Sequence, residues 1–286
     1  MASTLDTFAV FSSDSYGLER ILRFFQASSL LLTSYPELIA LALPQTPKAA
    51  QATTVATLFQ LQNWFNVTRR LLRLFWFLKP FQSSWSMHVS TESKAIEDWL
   101  DILTASTLGI FGLLESATLP DLLGIDNVVI FGPERTKSLN IQAQVFWFVA
   151  LYASVVSCGI KLFRVFAYRA VPSQDLEFDD DEKEQDAAEG EKVKKGGSGG
   201  SAKSKAAQKK KQQQLEERKA AAAEARDKVS GLTMKMLADS LDMVLPAVIC
   251  GWVDFHPGHV GIAMLVSTFI SSKLAWKRFA LAAQKA

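Results

Sequence analysis

The sequence predicts an all-α, membrane-associated protein: a helical domain with amphipathic helices, plus one or two C-terminal membrane-embedded helices. Three observations carry this reading. Apolar residues make up 49% of the 286 residues although a long polar tract lies within the chain, so the remainder is densely apolar. Apolar positions recur with helical spacing, and the alternation expected of strands is poor. Finally, Leu139–Ile160 holds 22 residues without a charge, and a bilayer core takes about 20 at helical rise.

Four parts follow in order. Residues 1–139 form an N-terminal amphipathic helical domain, and 140–170 a transmembrane segment. Residues 173–230 form a charged, largely disordered linker, and 231–286 a second membrane-embedded segment with a short tail. Residues 1–13 lack a basic region followed by an apolar run, so a cleaved secretory signal is not expected. The two cysteines, Cys158 and Cys250, sit in apolar surroundings and form no metal or redox motif.

Within the first part, Gly17–Gln26 opens a helix that runs to Tyr35, where the Tyr35-Pro36 step interrupts it. A second helical run covers 50–79 and is closed by Pro80; a third covers 91–115. The stretch 96–123 is apolar, but Asp98, Asp101, Glu115 and Asp121 make a full span costly. It is therefore expected to lie on the membrane or to pack within the N-terminal domain.

The uncharged run at 139–160 has Trp147 near one end and Lys161, Arg164 and Arg169 beyond the other, as interfacial anchors require. A buried helix of a soluble bundle is the alternative. Residues 243–272 give a weaker signal, interrupted by Asp254, His256 and His259. They fit a second span, a re-entrant hairpin or an interfacial helix. Gly251, Gly258 and Gly261 permit close packing or a bend there. In the polar tract, Asp175–Glu191 carries ten acids and one lysine, and Lys192–Lys219 ten bases against two acids. No aromatics interleave with the lysines, so nucleic-acid binding is not expected. Residues 208–227 could form a charged helix.

The most informative stretch is Leu58–Lys79. No Asp or Glu occurs from Leu38 to Thr91, whereas Lys48, Arg69, Arg70, Arg73 and Lys79 do. On a helical wheel, Arg69, Arg70 and Arg73 share an arc of about 120° with Gln62, Asn63 and Asn66. Leu71, Leu72, Leu74, Phe75, Trp76 and Leu78 fall on the opposite arc. Such a basic, aromatic-rich helix suits the interface of an anionic phospholipid membrane: arginines on phosphates, apolar side chains among the acyl chains. Inserted into one leaflet it expands that leaflet and favours curvature. An ordinary core helix and a calmodulin-type target remain alternatives.

These residues resemble the peroxin-11 family. Gly17-Leu-Glu-Arg-Ile-Leu-Arg-Phe-Phe-Gln26 is similar to the family's opening element, with Gly17, Glu19, Arg20, Arg23 and Gln26 at its positions. Thr68–Lys79 is similar to its central basic amphipathic element, and Leu237–Pro246 with the segment ending near Trp276 to its C-terminal region. The tract at 173–230 departs from the shortest members. The resemblance implies a protein of the peroxisomal membrane that elongates it before fission and controls organelle number and size. It also implies homo-oligomerisation and partnership with fission machinery, a dynamin-related GTPase and its adaptors. An oligomeric channel for small metabolites is the competing function.

No catalytic role is expected. The chain has no Gly-rich phosphate loop, no nucleophile elbow and no metal-spaced Cys/His set, so neither cofactor nor metal is implied. Asp254-Phe-His-Pro-Gly-His259 reads as a turn between membrane elements rather than a zinc site.

Overall fold

The structure, a computed structural model, describes residues 4–42, 47–90, 93–125, 127–169 and 200–283. Among these the chain forms eleven α-helices and no strand. It divides into two compact units, Met1–Ile160 with Leu232–Ala286, and Lys161–Gly231.

In the first unit, α1 (Thr4–Ser13) and α2 (Ser15–Ser34) meet at a tight corner. Asp14 caps α2, its carboxylate accepting the Tyr16 N–H at 2.8 Å. The corner requires glycine two residues later, since a Cβ at Gly17 would sit 1.9 Å from the Phe11 carbonyl oxygen. Helix α2 ends at Tyr35, as the Tyr35-Pro36 step predicts, and Pro36 opens α3 (Pro36–Ala42).

Helix α4 (Lys48–Leu72) stops earlier than expected. The sequence reading continues the helix to Lys79 and stops it at Pro80. Instead, residues 73–77 form tight turns. The Arg73 N–H reaches Arg70 O at 3.1 Å and the Trp76 N–H reaches Arg73 O at 2.9 Å. Helix α5 (Leu78–Val89) follows, with buried Pro80 in its first turn, where a missing N–H leaves no bond unmade. Beyond the turn, α5 packs along α6 (Ile96–Ala117). Gly109 and Gly112 permit the approach: added Cβ atoms would meet the Phe81 ring at 2.6 Å and Phe77 Cβ at 3.0 Å.

After α7 (Leu119–Leu122) the chain is pinned ahead of α8 (Pro133–Arg169) by one carboxylate. Asp121 accepts the N–H groups of Ile130, Phe131 and Gly132 at 2.6, 2.9 and 3.2 Å, and the Thr136 hydroxyl at 2.6 Å. Those bonds hold its carboxyl below the usual carboxylate range. Helix α9 (Gly200–Asp242), α10 (Val244–Ile249) and α11 (Pro257–Ala283) complete the fold. Helix α11 packs against α2, with Gly258 under the Tyr35 ring and Gly261 against Leu31 and Ala27. Phe11 of α1 meets Trp276 and Phe279 of α11 at 5.7 and 5.4 Å between ring centres.

Among the described residues, three helices are long and apolar enough to cross a membrane: 96–117 in α6, 133–167 in α8 and 257–280 in α11. The sequence reading anticipates α8 and one C-terminal element. Helix α6 is the addition, and its acids are provided for. Asp98 accepts the Ala95 N–H at 2.9 Å, and Asp101 accepts the Ser157 hydroxyl of α8 at 2.6 Å. Glu115 lies against two arginines described below, and Asp121 lies past the helix end. The polar interruptions Asp254 and His256 likewise precede α11 rather than dividing it.

In the second unit, α8 ends at Arg169 and α9 begins at Gly200, inside the charged tract. Helix α9 includes the stretch 208–227 that suggests a charged helix and is longer, because no proline intervenes between Pro172 and Pro246 and Ala, Lys, Gln and Glu are strong helix formers. Residues 173–199 of the tract lie outside the described residues.

Candidate functional site

The two elements singled out separately in the sequence, Gly17–Gln26 and Arg69–Arg73, face each other across the α2–α4 contact. Arg69 is buried, 7% exposed, and points into α2. Its Nε and Nη2 donate to Glu19 Oε1 at 2.8 and 2.6 Å, and its Nη1 donates to Gln26 Oε1 at 2.5 Å. Arg73 donates to Glu115 Oε1 of α6 at 3.0 Å and lies 4.0 Å from Glu19. Arg70 donates to Asn140 Oδ1 of α8 at 2.9 Å, with its Nε 3.5 Å from Glu115. Arg20 lies over the Tyr16 ring and 3.4 Å from Glu19, and buried Arg23 is bonded to Asp242.

Burial opposes ionisation of Glu19. Arg69, Arg20, Arg73 and Arg23 outweigh that penalty and hold its carboxyl well below the usual carboxylate range. The carboxylate therefore remains charged inside the protein, the state in which it can accept from Arg69.

The partners of these arginines differ from the sequence reading, which assigns them to lipid phosphates. They are protein carboxylates and amides contributed by α2, α6 and α8. The acid-free window from Leu38 to Thr91 has a structural reason: the acids that neutralise it come from outside it. The reading misses Glu115, Asn140, Gln144 and Asp242. A signal was present, because Glu115 is an isolated acid in apolar surroundings while 38–91 carries unmatched bases.

With the arginine side turned inward, the opposite side of α4 faces out. Trp64 is 71% exposed, Phe75 in the following turn 69%, and Leu61 and Leu71 are also exposed. Spacings of three and seven residues put Leu61, Trp64 and Leu71 on one arc of α4. Leu78, at the start of α5, is exposed too. Leu72, Leu74 and Trp76 are half-buried. The Leu74 carbonyl accepts the Ser116 hydroxyl at 2.6 Å, and Trp76 lies beside Gly112 of α6. Leu74, Phe75 and Trp76 thus belong to the turn between α4 and α5 rather than to a continuous amphipathic helix.

Between α2, α4, α6, α8, α10 and α11, the arginine cluster borders an interior cavity of about 180 Å³. Its wall combines Arg23, Arg69, Arg70 and Arg73 with Gln144 and the Phe111–Trp147 stack. No group of three or more His, Cys, Asp or Glu side chains suited to a metal ion occurs among the described residues.

Comparison with protein families finds one match, to the model described as peroxisomal biogenesis factor 11, over residues 5–276, nearly the whole chain. No curated protein and no solved structure matches.

Proposed function

Since the chain belongs to the peroxisomal biogenesis factor 11 family, whose members are associated with the peroxisomal membrane and act in peroxisome proliferation, we propose that it curves and elongates that membrane by seating the outward face of α4 in one leaflet. The family is one of biogenesis factors. The observation that carries the mechanism is the division of α4 and the turn after it: the arginines are engaged by protein acids while Trp64 and Leu71 on the other arc, and Phe75 in the turn, stand exposed.

An apolar face of this width is unstable in water and stable at the acyl boundary, since each large side chain buried contributes about 1.5–3 kcal/mol. The neighbouring membrane-capable helices hold α4 at the surface at a set depth, so the inserted volume is added to one leaflet. Many copies acting together stretch that leaflet and draw out a tubule, on which a dynamin-related GTPase and its adaptors complete fission. Fission of elongated organelles then sets their number and size. The bilayer acted on is anionic, and Lys79 and the other bases left outside the cluster meet its headgroups.

The test is reconstitution of the full chain into anionic vesicles, with tubules counted by electron microscopy. The parent protein is expected to tubulate. Trp64→Glu combined with Phe75→Glu is expected to insert its spans normally yet to lower tubule number about tenfold or more. Tubulation by the double variant at the parent level would refute the mechanism. Release of a trapped small anion without any tubules would favour the oligomeric channel instead.

A further inference from the structure

The arginine cluster is short of negative charge. Five guanidiniums, those of Arg20, Arg23, Arg69, Arg70 and Arg73, are joined to three carboxylates, those of Glu19, Glu115 and Asp242, leaving an excess of two positive charges in a buried setting. The carboxylates are already shared. Glu19 Oε1 serves Arg69 and lies near Arg73, and Glu115 Oε1 serves Arg73 and faces Arg70. Guanidiniums do not lose their protons in proteins, so deprotonation cannot relieve the excess.

Three of the five unmet guanidinium nitrogens belong to residues that line the cavity, the other two being Arg20 Nε and Nη1 away from it. Arg23 Nε, Arg70 Nε and Arg73 Nε are buried with no hydrogen-bond partner from the protein, and all three residues line the same space of about 180 Å³. Gln144 faces it with its amide oxygen likewise unpartnered, and rotation of that amide would present two more donors. A cavity of about 150 Å³ holds a ring the size of benzene, so this one has room for a tetrahedral oxyanion and the atoms attached to it. Three arginines with two charges to spare, on the wall of a cavity also lined by apolar side chains and by Glu115, already engaged by Arg73, match a phosphate group, whose oxygens accept several charge-assisted bonds at once.

We propose that the cavity between α2, α4, α6, α8 and α11 is a binding site for a phosphate group, held by Arg23, Arg70 and Arg73 with Gln144. Bound there, the anion completes the charge balance and locks α2 and α4 to α8. The site is separate from the outward face of α4, and its occupancy does not require that face to insert in the leaflet. The phosphate is either a soluble ion or monoester, or the headgroup of a phospholipid reaching in from the bilayer.

The full chain in detergent, stripped of lipid, is titrated with inorganic phosphate against chloride at matched ionic strength, following thermal unfolding. Phosphate is expected to raise the midpoint by several degrees in a saturable manner. Arg23→Gln is expected to abolish the shift. Because that variant also breaks the bond to Asp242, Gln144→Glu provides the second arm. Its carboxylate supplies the missing negative charge in place, so it is expected to raise the midpoint without phosphate and to remove the response. The source is resolved in nanodiscs: a rise in phosphatidic acid over phosphatidylcholine, with no response to free phosphate, assigns the site to a headgroup, and the reverse to a soluble anion. An absence of any phosphate response in both settings, or a full response persisting in Gln144→Glu, would overturn the proposal.

Discussion

At the residue scale, the molecule turns on Glu19. Its carboxylate sits on α2, 5% exposed, and holds Arg69 of α4 through two donors. Removing one partner of a buried pair leaves the other charge uncompensated, at a cost of about 3–5 kcal/mol. Glu19→Gln is therefore expected to lower stability by about 3 kcal/mol at neutral pH, as read by chemical unfolding in detergent. The sign with pH follows from its depressed pKa. The contribution is fully present above the unfolded carboxylate value of about 4.3 and declines as pH falls through the lower folded value. The parent should lose stability in acid more steeply than Glu19→Gln, so that the two curves converge. Parallel curves would mean that Glu19 is not the titrating group. Arg69→Ala is expected to act in the same way, through the fold, and not chiefly through weakened binding to anionic lipid.

Much of this cluster was legible as parts. Glycine, acid and bases at 17–26 and the arginines at 69–73 stand out from the sequence, but their pairing does not, because a helical wheel shows which residues share a face and not what the face meets. Glu19 and Arg69 stand fifty positions apart, and the sequence between them carries no local signal of contact. Glu115 was misleading for a related reason: a carboxylate in an apolar run reads as a cost until its arginine is found on another helix.

At the element scale, close backbone approaches decide the packing. The α1–α2 corner tolerates no Cβ at Gly17, since the obstacle is the Phe11 carbonyl and not a movable side chain. Gly17→Ala is expected to open the corner and withdraw Phe11 from Trp276 and Phe279, costing about 1–3 kcal/mol. A red shift in tryptophan emission together with the lower unfolding midpoint would report it, and an unchanged midpoint would show that the corner is lax. Helix existence was legible at this scale and one boundary was not. Pro80 looked like the stop of the 50–79 run, since proline disfavours helix at the residue before it. In its place α4 ends at Leu72, and Pro80 sits in the first turn of α5, where proline is tolerated. The packing of Phe77 and Phe81 on Gly112 and Gly109 that accompanies this is a tertiary event, invisible to local propensity. Helix α8, long and apolar enough to cross a membrane, was legible outright, because an uncharged run of bilayer length needs no partner to be recognised.

At the scale of the whole molecule, the fold reverses the usual disposition of an amphipathic helix. A soluble bundle would bury Trp64, Leu71 and Phe75 and expose the arginines. Here the ionic side is enclosed by α2, α6 and α8, and the apolar side is left outermost. That disposition suits hydrocarbon surroundings, where charges are stable only when paired within the protein. The most direct measurement is a depth profile of α4 in the reconstituted full chain, with a nitroxide placed by Trp64→Cys or Leu71→Cys after Cys158 and Cys250 are replaced by serine. Strong relaxation by oxygen with protection from a water-soluble nickel chelate at both positions is the predicted result. Ready access of the chelate to both positions would contradict the account, because it would place in water the face held here to lie in lipid.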